Sequence, residues 1–205
     1  MDTKHKIMDE ALTLFAQKGY ANVYVSEIAD RVGIKAPSLY KHYKNKQAIF
    51  DAIVEEMNSR YMEQAGMLNI NGMNPSEDAS VYMNISEEQL VQIGTGLFLY
   101  FLHDDYTKRF RKILTIEQFH KDEFAKIYSG QYVDGPIEYQ KGLFQLMVAN
   151  GAFIESDIDA MTLQFYSPIY MLLTLCDREP DREEEALGLL KKHFVQFAKL
   201  YGGKK

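Results

Sequence analysis

Two groups of residues in this 205-residue chain stand at spacings that could do chemistry. Lys35, Lys41, Lys44 and Lys46 follow a glycine at Gly33, and their ammonium groups suit the phosphates of a polyanion. Glu117 and His120 stand three apart, the spacing of the Glu-x-x-His pairs that hold di-metal sites in helical bundles. Such a site needs a second pair and two further inward carboxylates, and the sequence has no second Glu-x-x-His. It also has no Cys/His zinc cluster, no phosphate-cradling glycine loop and no nucleophile spaced with a matching base. The expectation is therefore a binding protein with no metal, no cofactor and no enzymatic activity.

The elements that carry these residues are helical. Hydrophobic residues make up 46% and charged ones 25%, enough for a packed core and unlike a disordered chain. The single cysteine, Cys176, can form no intrachain disulfide, and MDTKHK opens the chain without an apolar leader, so a cytoplasmic location is expected. The longest apolar runs, Gly96–Leu102 and Tyr170–Cys176, fall far short of the roughly 20 residues that span a bilayer, so no membrane partner is expected. Charge is uneven. Residues 1–46 hold eight Lys/Arg against five Asp/Glu in a chain of net charge −6, so a basic head precedes an acidic body.

Helical period dominates, punctuated by turn residues. Ile7, Met8, Ala11, Leu12 and Phe15 predict a first helix capped by Asp2 or Thr3, and Gly19 suits its left-handed terminus. Ile28, Ala29 and Val32 mark a second helix that Gly33 stops. Pro37 suits the first turn of a short third helix with Leu39 and Tyr43 inward, and Asn45 caps a long fourth through Ala48, Ile49, Ile53 and Met57. Two short helices around a glycine turn describe either a helix-turn-helix or a plain helical hairpin with a basic face. On the first reading Ala36, Pro37 and Ser38 let the backbone approach base edges, with Lys35 and Lys41 as donors beside them. Tyr40, His42 and Lys46 would then reach phosphate oxygens.

The run Ile28–Phe50, IADRVGIKAPSLYKHYKNKQAIF, resembles the DNA-binding head of the tetracycline-repressor (TetR) family of bacterial transcription regulators. The matching features are Ile28-Ala29, the Gly33-Ile34 turn, Leu39-Tyr40-Lys41-His42-Tyr43 and Lys46. Tyr24 stands where that family usually has a Thr or Ser cap, and Ser26 where an arginine is frequent. The resemblance implies operator DNA as partner, with Ser26 added to the contact set, a small-molecule effector, and a homodimer formed through the last two long helices. A repressor released from a palindromic operator is the expected function. The rival is a helical enzyme or protein-interaction adaptor on the same fold, which DNA binding would separate.

The fold expected is all-α: a helix-turn-helix domain over 1–46, a connecting helix over 47–65, and a larger ligand-binding and dimerisation domain over 66–205. Residues 66–78 read as a loop, Ser86 and Gln89 as a capping box, 106–128 as one helix, and Asp134-Gly135-Pro136 and Ser156-Asp157 as helix starts. Pro168 should disturb the helix that contains it. In the last helix Leu187, Leu190, Phe194, Phe197 and Tyr201 follow at spacings of 3, 4, 3 and 4, a seam that wants a partner helix from its own subunit or from a second copy. The resemblance favours the second copy. Phe98, Phe101, Phe119, Tyr139, Met147, Phe165 and Tyr166 read as core residues that could also line an apolar cavity, with His120 and Gln164 as groups to orient a ligand. Such a ligand would be largely apolar or aromatic.

Overall fold

The computed structural model describes residues 2–84 and 86–203. Its helices are α1 (Thr3–Lys18), α2 (Val25–Val32), α3 (Ala36–Leu39), α4 (Lys46–Met67), α5 (Pro75–Asn84), α6 (Glu87–His103), α7 (Asp105–Glu117), α8 (Asp122–Ser129), α9 (Gly135–Ala149), α10 (Ile158–Arg178) and α11 (Glu183–Tyr201). A π-helical segment, Gly130–Asp134, leads into α9, and a 3₁₀ turn, Pro180–Arg182, leads into α11. The fold is all-α, as expected, and no described helix is long and apolar enough to cross a membrane. Compactness divides the chain into two units, Met1–Tyr61 with Asp104–Tyr128 and Met62–His103 with Ser129–Lys205.

In the first unit, local signals set the helix ends. The Asp2 side chain accepts from His5 N at 2.9 Å and starts α1. Gly19 ends it at φ 80°, ψ 151°, a conformation close to glycine-only backbone. Tyr24 has no hydroxyl placed to cap α2; instead Glu27 reaches back to Tyr24 N at 3.0 Å. Gly33 closes α2 in the left-handed conformation, with Ile34 N donating to Ala29 O at 3.0 Å as in a Schellman motif. Asn45 accepts from Ala48 N at 2.8 Å and caps α4. Phe15, Ile28, Leu39, Ile49, Phe50 and Ile53 are fully or nearly fully buried, so α1 to α4 share one core.

Helices α7 and α8 complete that core. Phe110 and Phe124 are fully buried, their ring centroids 6.4 and 4.7 Å from that of Phe50. The Arg109 guanidinium clamps α7 to α1, donating to Thr13 Oγ1 at 2.6 Å and Asp9 Oδ1 at 2.8 Å. The continuous helix expected over 106–128 is broken at Gln118–Lys121. The break turns Phe124 into the core while Phe119 stays in solvent, a choice that helical periodicity alone does not make.

The second unit packs α6, α9, α10 and α11 around Phe98, Leu143, Phe144, Phe165, Leu190, Phe194 and Phe197. Ser86 and Gln89 form the expected capping box, with bonds of 3.2 and 2.8 Å, and Asp157 caps α10 through Ala160 N at 2.8 Å. The loop after α4 is shorter than expected because Pro75 already starts α5. Both carboxylate oxygens of buried Asp78 fold that loop back, accepting Asn71 N and Gly72 N at 2.7 Å each. Helix α10 runs through Pro168, and in the preceding turn Phe165 O accepts the Nε2–H of His193 at 2.8 Å. Pro136 lacks the N–H that an α-helical turn would send to Tyr132 O, and the Tyr166 hydroxyl donates to that oxygen at 2.8 Å.

Candidate nucleic-acid interface and effector region

The start of α3 faces solvent. Lys35, Pro37, Tyr40, Lys41 and His42 are exposed, Ala36 and Ser38 half-buried, and Ser26 is exposed in the first turn of α2. Buried Leu39 anchors this short helix, and the turn after it continues inward to buried Tyr43. Lys35, Lys41 and Lys44 form no ion pair with the described residues, whereas Arg31 is held by Glu10 at 2.9 Å and Lys18 by Glu27. The result is a small-residue surface flanked by uncommitted ammonium groups, able to enter a groove and meet phosphates.

Lys46 is the exception among the expected phosphate contacts. Its Nζ donates to Tyr20 O and Val23 O, both at 2.8 Å, and lies 4.5 Å from the Tyr20 ring centroid. Burial, together with the charge of Lys121, holds its pKa below the ordinary lysine range, and Glu117 opposes that shift. The ammonium is thus committed to two backbone carbonyls. Burial also pushes the Tyr20 hydroxyl up to about 12, with Glu123 and Asp51 adding to the shift.

Glu117 and His120 are not a metal pair. Glu117, only 4% exposed, accepts Tyr20 N at 2.8 Å, while His120 points to solvent. No group of three His, Cys, Asp or Glu among the described residues is arranged to hold a metal ion.

The expected effector residues separate into three sets. Phe98, Met147 and Phe165 are core: Phe165 packs its ring 5.3 Å from Phe144 and 4.8 Å from Phe197. Phe119 is 83% exposed and, with His120, lies between α7 and α8 in the first unit, so neither belongs with the rings of the second. Phe101, Tyr139 and Tyr166 are half-buried in the second unit. Phe101 stands 6.4 Å from Tyr132, whose carbonyl Tyr166 caps, and Tyr139 donates to Asp78 Oδ2 at 2.6 Å. Exposed Gln164 accepts from the Tyr201 hydroxyl. Two polar atoms escaped the sequence reading: Gln140 Oε1 and Thr162 Oγ1 are buried without a hydrogen-bond partner. Nothing local in the sequence marks them.

The seam of α11 is satisfied inside its own subunit. Leu190, Phe194 and Phe197 are at most 3% exposed, and Leu187 and Tyr201 pack against the same core. The expectation that the seam meets a second copy is therefore corrected for Leu190, Phe194 and Phe197, because α6, α9 and α10 cover them, while Leu187 and Tyr201 stay half-exposed. Large apolar side chains remain exposed elsewhere on the last two long helices, Leu163 and Met171 on α10 and Leu189 and Leu200 on α11. Leu189 and Leu200, eleven residues apart, share one side of their helix after three turns.

Parts of the chain, and its fold, are similar to known proteins. Residues 7–53 match the family described as bacterial regulatory proteins, tetR family. A 76-residue stretch is 41% identical to the biofilm operon icaADBC HTH-type negative transcriptional regulator IcaR of Staphylococcus aureus, covering 37% of this chain and 40% of that protein. The match thus spans well under half of that relative. The whole chain superposes on SmeT, the repressor of the Stenotrophomonas maltophilia multidrug efflux pump SmeDEF, with a TM-score of 0.68 at 17% identity, covering 100% of this chain and 92% of SmeT. SmeT in complex with triclosan gives 0.71 at 18% identity, with 100% and 93% covered. A TetR transcription regulator from Haloarcula marismortui gives 0.69 at 15% identity, with 98% of each chain covered.

Proposed function

We propose that this chain, whose residues 7–53 form a tetR-family head and whose full length takes the fold of TetR-family regulators, is a dimeric, sequence-specific DNA-binding transcriptional regulator, a repressor released by a small molecule. The observation that carries the reading is the exposed start of α3, small at Ala36 and Ser38 and flanked by the unpaired Lys35, Lys41 and Lys44. Residues 1–46 serve DNA, 47–65 connect, and 66–205 bind the effector and dimerise. The relatives are regulators, in accord with a protein that is not an enzyme, and a cytoplasmic location follows from operator binding.

Ser26, Lys35, Ala36, Pro37, Ser38, Tyr40, Lys41 and His42 form the contact set. Lys46 is left out of the phosphate contacts because two of its three donors are engaged by buried backbone carbonyls. Two heads in a dimer would read half-sites about 34 to 36 Å apart on a palindromic operator. The exposed apolar side chains of α10 and α11 form the dimer face. The effector binds among Phe101, Tyr139 and Tyr166, whose half-buried rings favour an aromatic molecule. The triclosan bound by SmeT, an aromatic compound, is in keeping with that class.

Selection of bound duplexes from random DNA, followed by titration at several salt concentrations, tests the reading. A two-fold symmetric consensus whose affinity falls steeply with salt supports it, and the absence of any bound duplex rejects it. Ligand and operator must weaken each other equally, by roughly 5- to 150-fold for ordinary couplings.

A further inference from the structure

The backbone of Tyr20, between α1 and α2, is gripped from both sides. Its N–H donates to Glu117 Oε1 at 2.8 Å, from the last turn of α7. Its carbonyl accepts from Lys46 Nζ at 2.8 Å, from the first turn of α4, and the same ammonium takes Val23 O at 2.8 Å. Gly19 makes the approach possible: a Cβ there would stand 2.9 Å from Glu117 Oε1, and its φ of 80° already disfavours any other residue. The ammonium groups of Lys46 and Lys121 lie 4.5 and 5.0 Å from the centroid of the Tyr20 ring, which packs on Phe15 and Phe124. Both Tyr20 and Val23 are buried, so water cannot readily replace either partner.

We infer that Lys46 and Glu117 are positioning residues for DNA binding, which clamp the turn between α1 and α2 and thereby aim α2 and α3 without touching the nucleic acid. The inference rests on the DNA-binding reading. Chemistry supports it over a phosphate contact for Lys46. An ammonium has three donors, two are spent on buried carbonyls, and leaving for a phosphate would strand Val23 O and leave Tyr20 O only the long 3.5 Å bond from Val23 N. The two side chains also act as one unit, since both hold the backbone of Tyr20, one at its N–H and the other at its carbonyl, so their removal is non-additive.

The test uses the full-length protein and its selected duplex. Lys46→Ala is expected to weaken binding at fixed salt by about tenfold or more while leaving the log–log salt slope at the wild-type value. Lys41→Ala, a free surface cation, lowers the slope by about one. Glu117→Ala matches the loss of Lys46→Ala, the double variant adds little, and Glu117→Gln, which keeps an acceptor oxygen for Tyr20 N, restores most of the affinity. Amide exchange on the DNA-free protein supplies a second reading: Tyr20 N–H loses protection in Glu117→Ala and keeps it in Glu117→Gln. If Glu117→Ala fails to fold, Glu117→Gln and the salt slope of Lys46→Ala still decide the matter. A slope that drops by one in Lys46→Ala, or a Tyr20 amide indifferent to Glu117, overturns the inference. A wild type that binds no duplex removes the DNA-binding reading and the aiming role with it, whereas amide exchange reports the clamp independently.

Discussion

Phe194 packs directly on Gly94: a Cβ added to the glycine would stand 2.3 Å from the phenylalanine ring. Helix α11 thus approaches α6 as closely as a glycine allows, and Phe194 is only 1% exposed. Gly94→Ala gains helix propensity of about 1 kcal/mol but forces the ring out of place. Overpacking of this kind costs roughly 1 to 3 kcal/mol, so a net loss of stability is expected in urea denaturation. Phe194→Ala should cost about 3 to 5 kcal/mol. A neutral Gly94→Ala would mean that the two helices slide apart easily.

The dimer face makes a separate prediction. Leu163→Glu combined with Leu200→Glu places carboxylates on exposed positions of α10 and α11, so the isolated subunit should keep its helical content and melting temperature. Buried in an interface, an unpaired charge costs on the order of 3 to 5 kcal/mol, which raises the dimer dissociation constant by about two orders of magnitude or more. Sedimentation velocity reads the outcome. Unchanged association would move the interface elsewhere.

On the head, the exposed cations should differ from the committed ones. Lys35→Ala and Lys44→Ala each lower the salt slope of operator binding by about one, as the loss of a phosphate contact does. Arg31→Ala, whose guanidinium is already held by Glu10, should change the slope less. Ala36→Phe obstructs close approach of α3, and is expected to abolish sequence preference while sparing weak, non-specific binding. Equal slopes for all three charge variants would remove the distinction.

His193 gives the second unit a pH dependence. Burial lowers its pKa from the ordinary 6.5, with the hydrogen bond to Phe165 O opposing that shift. The folded state therefore binds fewer protons than the unfolded chain just below pH 6.5, and stability falls as pH drops from there through the lowered folded value. Above 6.5 the contribution is fully present. Denaturation midpoints at pH 7.5 and 5.5 should differ in the wild type, and by less in His193→Gln. An equal difference in both would assign the effect to other groups.

Much of this protein was legible without coordinates. Asp2, Gly33, Asn45, Asp157 and the Ser86–Gln89 box stop and start helices through bonds between residues three to five apart, so their spacing announces them. The exposed start of α3 was legible for the same reason, because Pro37 and the small residues around it act through local backbone geometry. Phe119 shows the limit. Its place in the helical pattern suggested a lining residue, and only the turn after Glu117 leaves it in solvent.

The α11 seam shows why the rest was hidden. A 3-4-3-4 stripe says that a helix needs a neighbour but carries no label for which neighbour, since burial is non-directional and any complementary apolar face satisfies it. Tertiary structure chose α6, α9 and α10, through contacts such as Phe194 on Gly94, a hundred residues away in sequence. Lys46 is the polar counterpart: its charge and its place at the head of α4 were fixed by composition and spacing. That its donors go to Tyr20 O and Val23 O, rather than to solvent, was decided only when α4, α7 and the turn after α1 closed on one another.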